Sequence, residues 1–245
     1  MKTPVILLLL CGCIFQFSCK KKTQGTLINH GKIVVAVTHQ VDGAPVVFDT
    51  AVFTNAAANQ YSIEKLEYYL SDFRIYKNSQ LCYSGTEIVL VNGRDSGTFT
   101  FNISPSSGLA SGIYDSVAFT IGVSSVLNVS YGLPNTLDNM DMAWPDVMGG
   151  GYHFFKLEGH YKNAGLLAGY AMHLGQNGYQ VNAGMHCSIN IKPTGDATLN
   201  MIMNVNEWFR NPANYNFNTD GVFTMGDTLL MHKLALNGAD VFFTN

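Results

Sequence analysis

The sequence has 245 residues, of which 47% are hydrophobic and 13% charged, and its formal net charge is -3. A chain this apolar, with so little net charge, is not a disordered tail protein, and its length fits one domain. A nucleic-acid-binding protein of the usual basic type is also excluded, because the pI is about 6.1 and no cluster of Lys and Arg lies beyond residue 22.

The first 18 residues are typical of a signal peptide. The apolar run from Val5 to Phe17 is shorter than the roughly 20 residues that span a bilayer as a helix. It ends at Ser18-Cys19, and a small residue directly before Cys resembles the cleavage site of bacterial lipoproteins. We therefore expect cleavage before Cys19, lipidation of Cys19 and a lipidated tether over 19–31. Cys13 is an alternative attachment site, and a secreted protein without lipid is an alternative to both.

Two further cysteines, Cys82 and Cys187, remain in the mature chain. An even pair in an oxidising compartment is typical of a disulfide, so we expect a bond between them. Two free thiols, or a soft-metal site that uses either thiolate, are the alternatives.

From residue 32 onward, strand-like runs alternate with turns. Ile33 to Thr38 is rich in β-branched residues, and Ser116 to Val123 and Thr198 to Val205 also favour strands. Residues 62–69 fit either one helical turn or a strand, because their apolar residues also alternate. This pattern predicts a single all-β domain over 32–245, an antiparallel β-sandwich with long loops.

The run from Tyr152 to Tyr161 predicts a strand with two different faces. Alternation places His153, Phe155 and Leu157 on one face. Lys156, Glu158 and His160 lie on the other.

Histidine is the residue type that could carry chemistry in this chain. The common hydrolase, zinc-protease, phosphate-loop and dinucleotide motifs are missing, as is C-x-x-C. Asp138, Asp141 and Asp146 lack the Gly and Glu of an EF-hand loop, so we expect a solvated loop there.

Neutral imidazole suits copper, zinc and nickel, and copper(II) binds most tightly among the divalent first-row ions. A single strand histidine is usually an ordinary hydrogen-bonded residue, so a metal site requires several to converge. Five histidines lie in or beside strand-like runs: His39, His153, His160, His173 and His232.

Several blocks, taken together and in order, resemble one known family, that of MbnP-like proteins. This family is named for the periplasmic partner protein of methanobactin operons and is related to surface copper-binding proteins of methane oxidisers. The resemblance covers about Ile33 to Phe243. The blocks are His39-Gln-Val-Asp-Gly-Ala-Pro-Val, Thr54-Asn55, Tyr61 to Asp72, Met142-Ala143-Trp144, Gly151 to Gly159, Met172-His173-Leu174-Gly175, and Met231-His232 with Asn237.

The resemblance implies a β-sandwich that binds copper in the cell envelope. In this family a tryptophan is oxidised to kynurenine by a dihaem peroxidase-like partner and joins histidines at the metal. By motif, Trp144 is the candidate for this modification, with an unmodified packed aromatic as the alternative. His173 is the first-choice ligand, His39 and His232 come next, and His153 is a fourth possibility. No general base or activated nucleophile accompanies these residues in the sequence, so we expect a binding protein and not an enzyme.

Two other functions remain open. The 12 Tyr, 15 Phe and 2 Trp fit a carbohydrate- or surface-binding sandwich without metal, and an exposed line of Trp208, Phe209 and Tyr215 would favour it. A purely structural lipoprotein is the third interpretation. In each case we expect a protein of the bacterial cell envelope, on its periplasmic or cell-surface side, that contacts the membrane through its lipid anchor.

Overall fold

The computed structural model describes residues 29–193 and 195–245. The predicted signal peptide, the lipid attachment site at Cys19 and most of the predicted tether lie outside the described residues. Within the described part, no helix is both long enough and apolar enough to cross a bilayer.

Strands dominate the described residues, as predicted. The strands are β1 (His30–Gly31), β2 (Ile33–Val41), β3 (Ala44–Pro45), β4 (Phe53–Thr54), β5 (Gln60–Tyr61), β6 (Lys65–Lys77), β7 (Gln80–Ser84), β8 (Ile88–Asn92), β9 (Thr100–Asn102), β10 (Leu109–Ala110), β11 (Gly112–Ile121), β12 (His153–Asn163), β13 (Leu166–Gly175), β14 (Val181–Ile191), β15 (Ala197–Asn204) and β16 (Phe242–Phe243). The helices are α1 (Leu137–Asp141) and α2 (Thr228–Asn237), and short 3-10 turns cover Ser96–Thr98, Asp146–Met148, Val205–Phe209 and Gly238–Asp240.

Two main sheets form the sandwich. The nine-stranded sheet has the order β14-β11-β6-β12-β5-β4, with β13 beside β12 and with β7 and β8 beside β6. The five-stranded sheet has the order β16-β15-β2-β3, with β9 beside β2, and β1 and β10 form a separate pair. The pairing is antiparallel, as predicted, except that β2 and β15 run parallel. Parallel pairing is possible there because the two strands are far apart in the chain and need no tight hairpin.

Aromatic side chains fill the space between the sheets. Phe242 of the five-stranded sheet contacts Tyr68 and Phe119 of the nine-stranded sheet, with ring centroids 5.8 and 5.4 Å apart. Phe73 and Phe101 meet in the same way at 5.9 Å. Removal of these rings from water is the main force that holds the two layers together.

Residues 62–69 lead into a strand and form no helical turn. Most of the segment belongs to β6, which is paired on both edges: Tyr68 lies opposite Val91 of β8 and Phe155 of β12. Aromatic residues between two partner strands favour the extended conformation, since they pack against neighbours on both sides.

The predicted disulfide is wrong, because Cys82 and Cys187 are free cysteines. Cys82 lies on β7 and Cys187 on β14, and β6 and β11 lie between these two strands in the sheet. Three strand spacings of about 4.8 Å place their Cα atoms about 14 Å apart. A disulfide requires a Cα separation below about 7 Å.

Strand β11 connects the two ends of the sandwich. It begins directly after β10, which pairs with β1, and the long loop 122–152 leaves from its other end at Ile121. Ten residues of strand span about 33 Å. The first described residues and the loop that carries Trp144 therefore lie toward opposite ends of this strand.

Candidate metal centre

The hairpin of β12 and β13 brings two of the predicted ligands together. His173 lies opposite Lys156, and His153 lies opposite Gly175, but between these pairs β12 carries one extra residue. Such a β-bulge breaks the alternation of side chains between the two faces. The ring of His153 consequently lies against that of His173, with centroids 4.9 Å apart and an interplanar angle of 88°. The predicted grouping of His153 with Phe155 is therefore wrong.

Each of these two imidazoles has one nitrogen bound and one without a partner. His153 Nδ1 lies 3.2 Å from the carbonyl oxygen of Met142, and His173 Nε2 lies 2.9 Å from Oε1 of Glu158. Carbonyl and carboxylate oxygens only accept, so these nitrogens carry the hydrogens. In the neutral rings the lone pairs then lie on His153 Nε2 and His173 Nδ1. Both of these atoms are buried and lack a hydrogen-bond partner.

The surroundings keep His153 uncharged. Desolvation by burial, together with nearby His173 and Lys156, lowers the pKa of His153 to about 3. The hydrogen bond from His173 is the main cause that holds the pKa of Glu158 below its usual value. At neutral pH the site therefore offers a neutral imidazole beside a second imidazole that is anchored by a carboxylate. Metal-ligating histidines usually have a second-nitrogen hydrogen bond of this kind, to a carboxylate or a carbonyl oxygen.

Trp144 forms one wall of the site. Its ring lies 4.8 Å from that of His153, and its indole N–H donates to the carbonyl oxygen of Met148 at 3.3 Å. A Cβ atom at Gly175 would lie 2.2 Å from the indole, so only glycine lets β13 approach this closely. Trp144 also borders a surface cavity of about 250 Å³. The ring thus lies between a possible ligand and a region that solvent can reach.

The segment before α2 covers His173 from another side. The hydroxyl of Thr224 accepts a hydrogen bond from the backbone N–H of His173 and donates one to its carbonyl, both at 2.6 Å. Phe223 forms a parallel bridge with Ala171 of β13. The sequence analysis missed Thr224, and no local signal marks it, because its partner lies 51 residues earlier in the chain.

Charged side chains tie α1 to this hairpin. Nζ of Lys156 donates to the carbonyl oxygen of Asp141 and lies 3.0 Å from its Oδ2, and Nζ of Lys65 lies 3.0 Å from the same Oδ2. Asp138 and Asp141 lie in the short helix α1 and Asp146 in a 3-10 turn, both within the loop 122–152, and all three residues are exposed, as the prediction of a solvated loop requires. Asp141 neutralises two lysines, which explains its place in the sequence without a bound cation.

His39 lies apart from the histidine pair. Its Nε2 is 2.8 Å from the Tyr68 hydroxyl, and its ring packs against Phe99 with centroids 5.1 Å apart. Tyr68 lies opposite Phe155 in the sheet, and both rings face the core, whereas His173 lies on the other face. The nine-stranded sheet therefore separates His39 from His173.

His232 is also outside the pair. Helix α2 buries Met231, Leu234 and Asn237, and His232 is exposed. Of the four predicted ligands, the structure brings His153 and His173 together and places neither His39 nor His232 with them. Over residues 29–193 and 195–245, no three His, Cys, Asp or Glu side chains form a group that could hold a metal.

The aromatic residues suggested for sugar binding are buried. Trp208, Phe209 and Tyr215 are each fully shielded from solvent, and Trp208 stacks on Phe155 with centroids 3.9 Å apart. They are core residues, so the exposed line that would favour a carbohydrate-binding function does not exist.

Comparison with known proteins agrees with the motif resemblance. The family model MbnP matches residues 30–226. Among solved structures, MbnP from Methylosinus trichosporium is similar, with 14% identity, coverage of 74% of this chain and 78% of that chain, and a TM-score of 0.47. A search of curated proteins found no match. Because the family model covers most of the sequence, the chain belongs to the MbnP family.

Proposed function

We propose that this protein binds copper through His153 and His173 in the bacterial cell envelope. The observation that carries the proposal is the pair of buried nitrogens, His153 Nε2 and His173 Nδ1, in two contacting rings. A buried polar atom without a partner costs on the order of 1–3 kcal/mol. Two such atoms in contacting rings favour a ligand role over a purely structural one, since a metal ion is one partner that would satisfy them. Copper is also the ion that the family resemblance implies.

The residues present fit this ion. Imidazole nitrogen is a common copper ligand, and a ligating imidazole usually donates its other N–H to a carboxylate or a carbonyl. His173 does so to Glu158, and His153 does so to Met142. These bonds fix the two rings before any ion arrives. When bound, copper would supply a Lewis-acidic centre that accepts both lone pairs.

The proposal includes oxidation of Trp144 to kynurenine by a dihaem peroxidase-like partner. Its support is the position of the indole, which packs on His153 and borders a surface cavity. Peroxide consumed by the partner would supply both oxygen atoms as the indole C2–C3 bond breaks, and hydrolysis would release the formyl carbon as formate. The product side chain carries a ketone and an aromatic amine, both of which are polar groups beside the imidazoles.

We further propose a binding protein, not an enzyme, held to the membrane by lipid on Cys19. The Glu158 carboxylate is already bound to His173, so its role is to orient that ring. Strand β1 forms the end of the predicted tether and lies toward the end of β11 opposite the Trp144 loop. This arrangement supports a site directed away from the anchoring membrane.

The test is copper stoichiometry of the full chain expressed with its own signal. Wild type should retain about one copper ion per chain after dialysis, as binding at one pair of ligands requires. His153→Ala and His173→Ala should each lose it, whereas the exposed His232→Ala control should keep it. Full retention by both site variants, with unchanged circular dichroism, would overturn the assignment. Intact mass of the native protein tests the rest: lipidation at Cys19, and the exchange of one carbon for one oxygen at Trp144.

A further inference from the structure

Lys156 is a buried cation beside a site proposed for a cation. It is 5% exposed and lies directly opposite His173 in the hairpin. Its charge contributes to the lowered pKa of His153, and the same repulsion acts against a metal ion bound there. Burial of an ammonium group costs several kcal/mol unless it is paired. On electrostatics alone, Lys156 is unfavourable for the proposed function and needs another explanation.

The contacts of Lys156 supply such an explanation. Its Nζ donates to the backbone carbonyl of Asp141, the last residue of α1, as well as to the Asp141 carboxylate. The next residue, Met142, presents its carbonyl to His153, where it accepts the backbone N–H at 2.7 Å and lies 3.2 Å from Nδ1. Lys156 therefore holds the peptide segment that carries the acceptor for the His153 ring.

We propose that Lys156 is a positioning residue that sets the tautomer of His153. By fixing the Asp141–Met142 backbone, it keeps the Met142 carbonyl beside Nδ1, so the hydrogen stays on Nδ1 and the lone pair stays on Nε2. In water the opposite tautomer of histidine, with hydrogen on Nε2, is the more stable one, and that form could not donate Nε2 to a metal. This inference rests on the proposed function for its biological meaning, but the tautomer itself exists without metal.

Lys65 offers a matched control. Its Nζ also binds Asp141 Oδ2 at 3.0 Å, but its side chain is 32% exposed against 6% for Lys156. Among the hydrogen bonds of the described residues, only Lys156 reaches the Asp141 carbonyl with its ammonium group. Lys65→Met therefore removes a positive charge from the same carboxylate and leaves the backbone contact intact.

The experiment is long-range proton–nitrogen NMR on metal-free protein with ¹⁵N-labelled histidine. Wild type should show His153 with its hydrogen on Nδ1 only. Lys156→Met should add a resolved population with hydrogen on Nε2, Lys65→Met should match wild type, and Lys156→Arg, which restores a charged donor, should return toward it. A competition assay on the same proteins should find copper affinity lowered on the order of 10–100-fold in Lys156→Met.

The sign of the copper effect separates positioning from charge. If Lys156 acted through its charge alone, its removal would tighten copper binding. An unchanged Nδ1 tautomer in Lys156→Met, or copper binding as tight as in Lys65→Met, would overturn the inference. If Lys156→Met does not fold, Lys156→Gln replaces it in the same experiments. Its side chain is shorter and neutral, so it also lacks the ammonium group. A tautomer change in a protein whose wild type binds no copper would support positioning and refute the proposed function.

Discussion

His39 and the pair of His153 and His173 show two ways in which a sandwich buries imidazole. Burial lowers the pKa of His39 to about 4, and it is also the largest cause that lowers the pKa of His153 to about 3. His39, however, bonds the Tyr68 hydroxyl through Nε2 and stands alone among aromatic rings. The pair leaves one nitrogen of each ring without a partner. A lowered pKa is thus common to both regions, and the buried nitrogen without a partner, in a ring that contacts a second imidazole, is what distinguishes the pair from His39.

Two His–Glu contacts extend the comparison. Glu158 binds His173 next to the unpaired nitrogens, while Glu64 binds His160 on an exposed part of the same strand β12. The chemistry of the two contacts is the same, and their surroundings differ. Only the first has a ring whose other nitrogen is available in the site.

The largest expected effect comes from removal of the Glu158 carboxylate. Glu158→Ala frees His173 Nε2, so the ring can rotate or change tautomer, and copper affinity should fall on the order of 10–100-fold. Glu64→Ala removes the equivalent partner of His160 and should leave affinity unchanged. Competition against a copper chelator measures the copper affinity of both variants. Equal affinities in the two variants would mean that the carboxylate does not prepare His173 for a metal.

The next effect concerns the packing of Trp144 on the site. In Gly175→Ala the new methyl group would meet the indole at 2.2 Å, which should lower the free energy of unfolding by about 1–3 kcal/mol. Gly169→Ala lies on the same strand β13 and meets nothing within 4 Å, so it should cause little change. Urea denaturation of both variants gives the comparison. Equal stability of the two would show that the indole can move aside, and Trp144 would then be a poor candidate for a fixed part of the site.

The sequence predicts the sandwich well because each strand shows a local alternation of inward and outward side chains. In β2, Ile33, Val35 and Val37 point inward as their period of two requires. The alternation rule fails at His153 because of the β-bulge. The bulge depends on how β12 pairs with β13, so the sequence of β12 alone does not predict it.

The site is predictable only in part, for a related reason. The motif resemblance suggests four histidines and Trp144, and the structure places His153, His173 and Trp144 together. Motifs give no distances, so the prediction also includes His39 and His232, which lie elsewhere. Thr224 and the carbonyl oxygen of Met142 also contribute to the site. Their contacts involve backbone groups, which a pattern of side chains in the sequence does not predict. The disulfide prediction fails for the same reason. An even number of cysteines suggests a bond, but it does not show how many strands lie between the two residues.

The smallest expected effect tests whether His39 is only a core residue. Because its folded pKa of about 4 lies below the ordinary value of 6.5, the unfolded chain binds the proton first as pH falls through this range. The contribution to stability is therefore complete above pH 6.5 and is lost as pH falls toward 4, with a slope of at most about 1.4 kcal/mol per pH unit. His39→Gln should remove this part of the slope in urea titrations, with or without copper. His153 adds a slope of the same sign in metal-free protein, so the variant curve should flatten but not become level. Parallel curves for wild type and His39→Gln would contradict the burial of His39, and a variant curve that changed only with copper present would place His39 in the metal site after all.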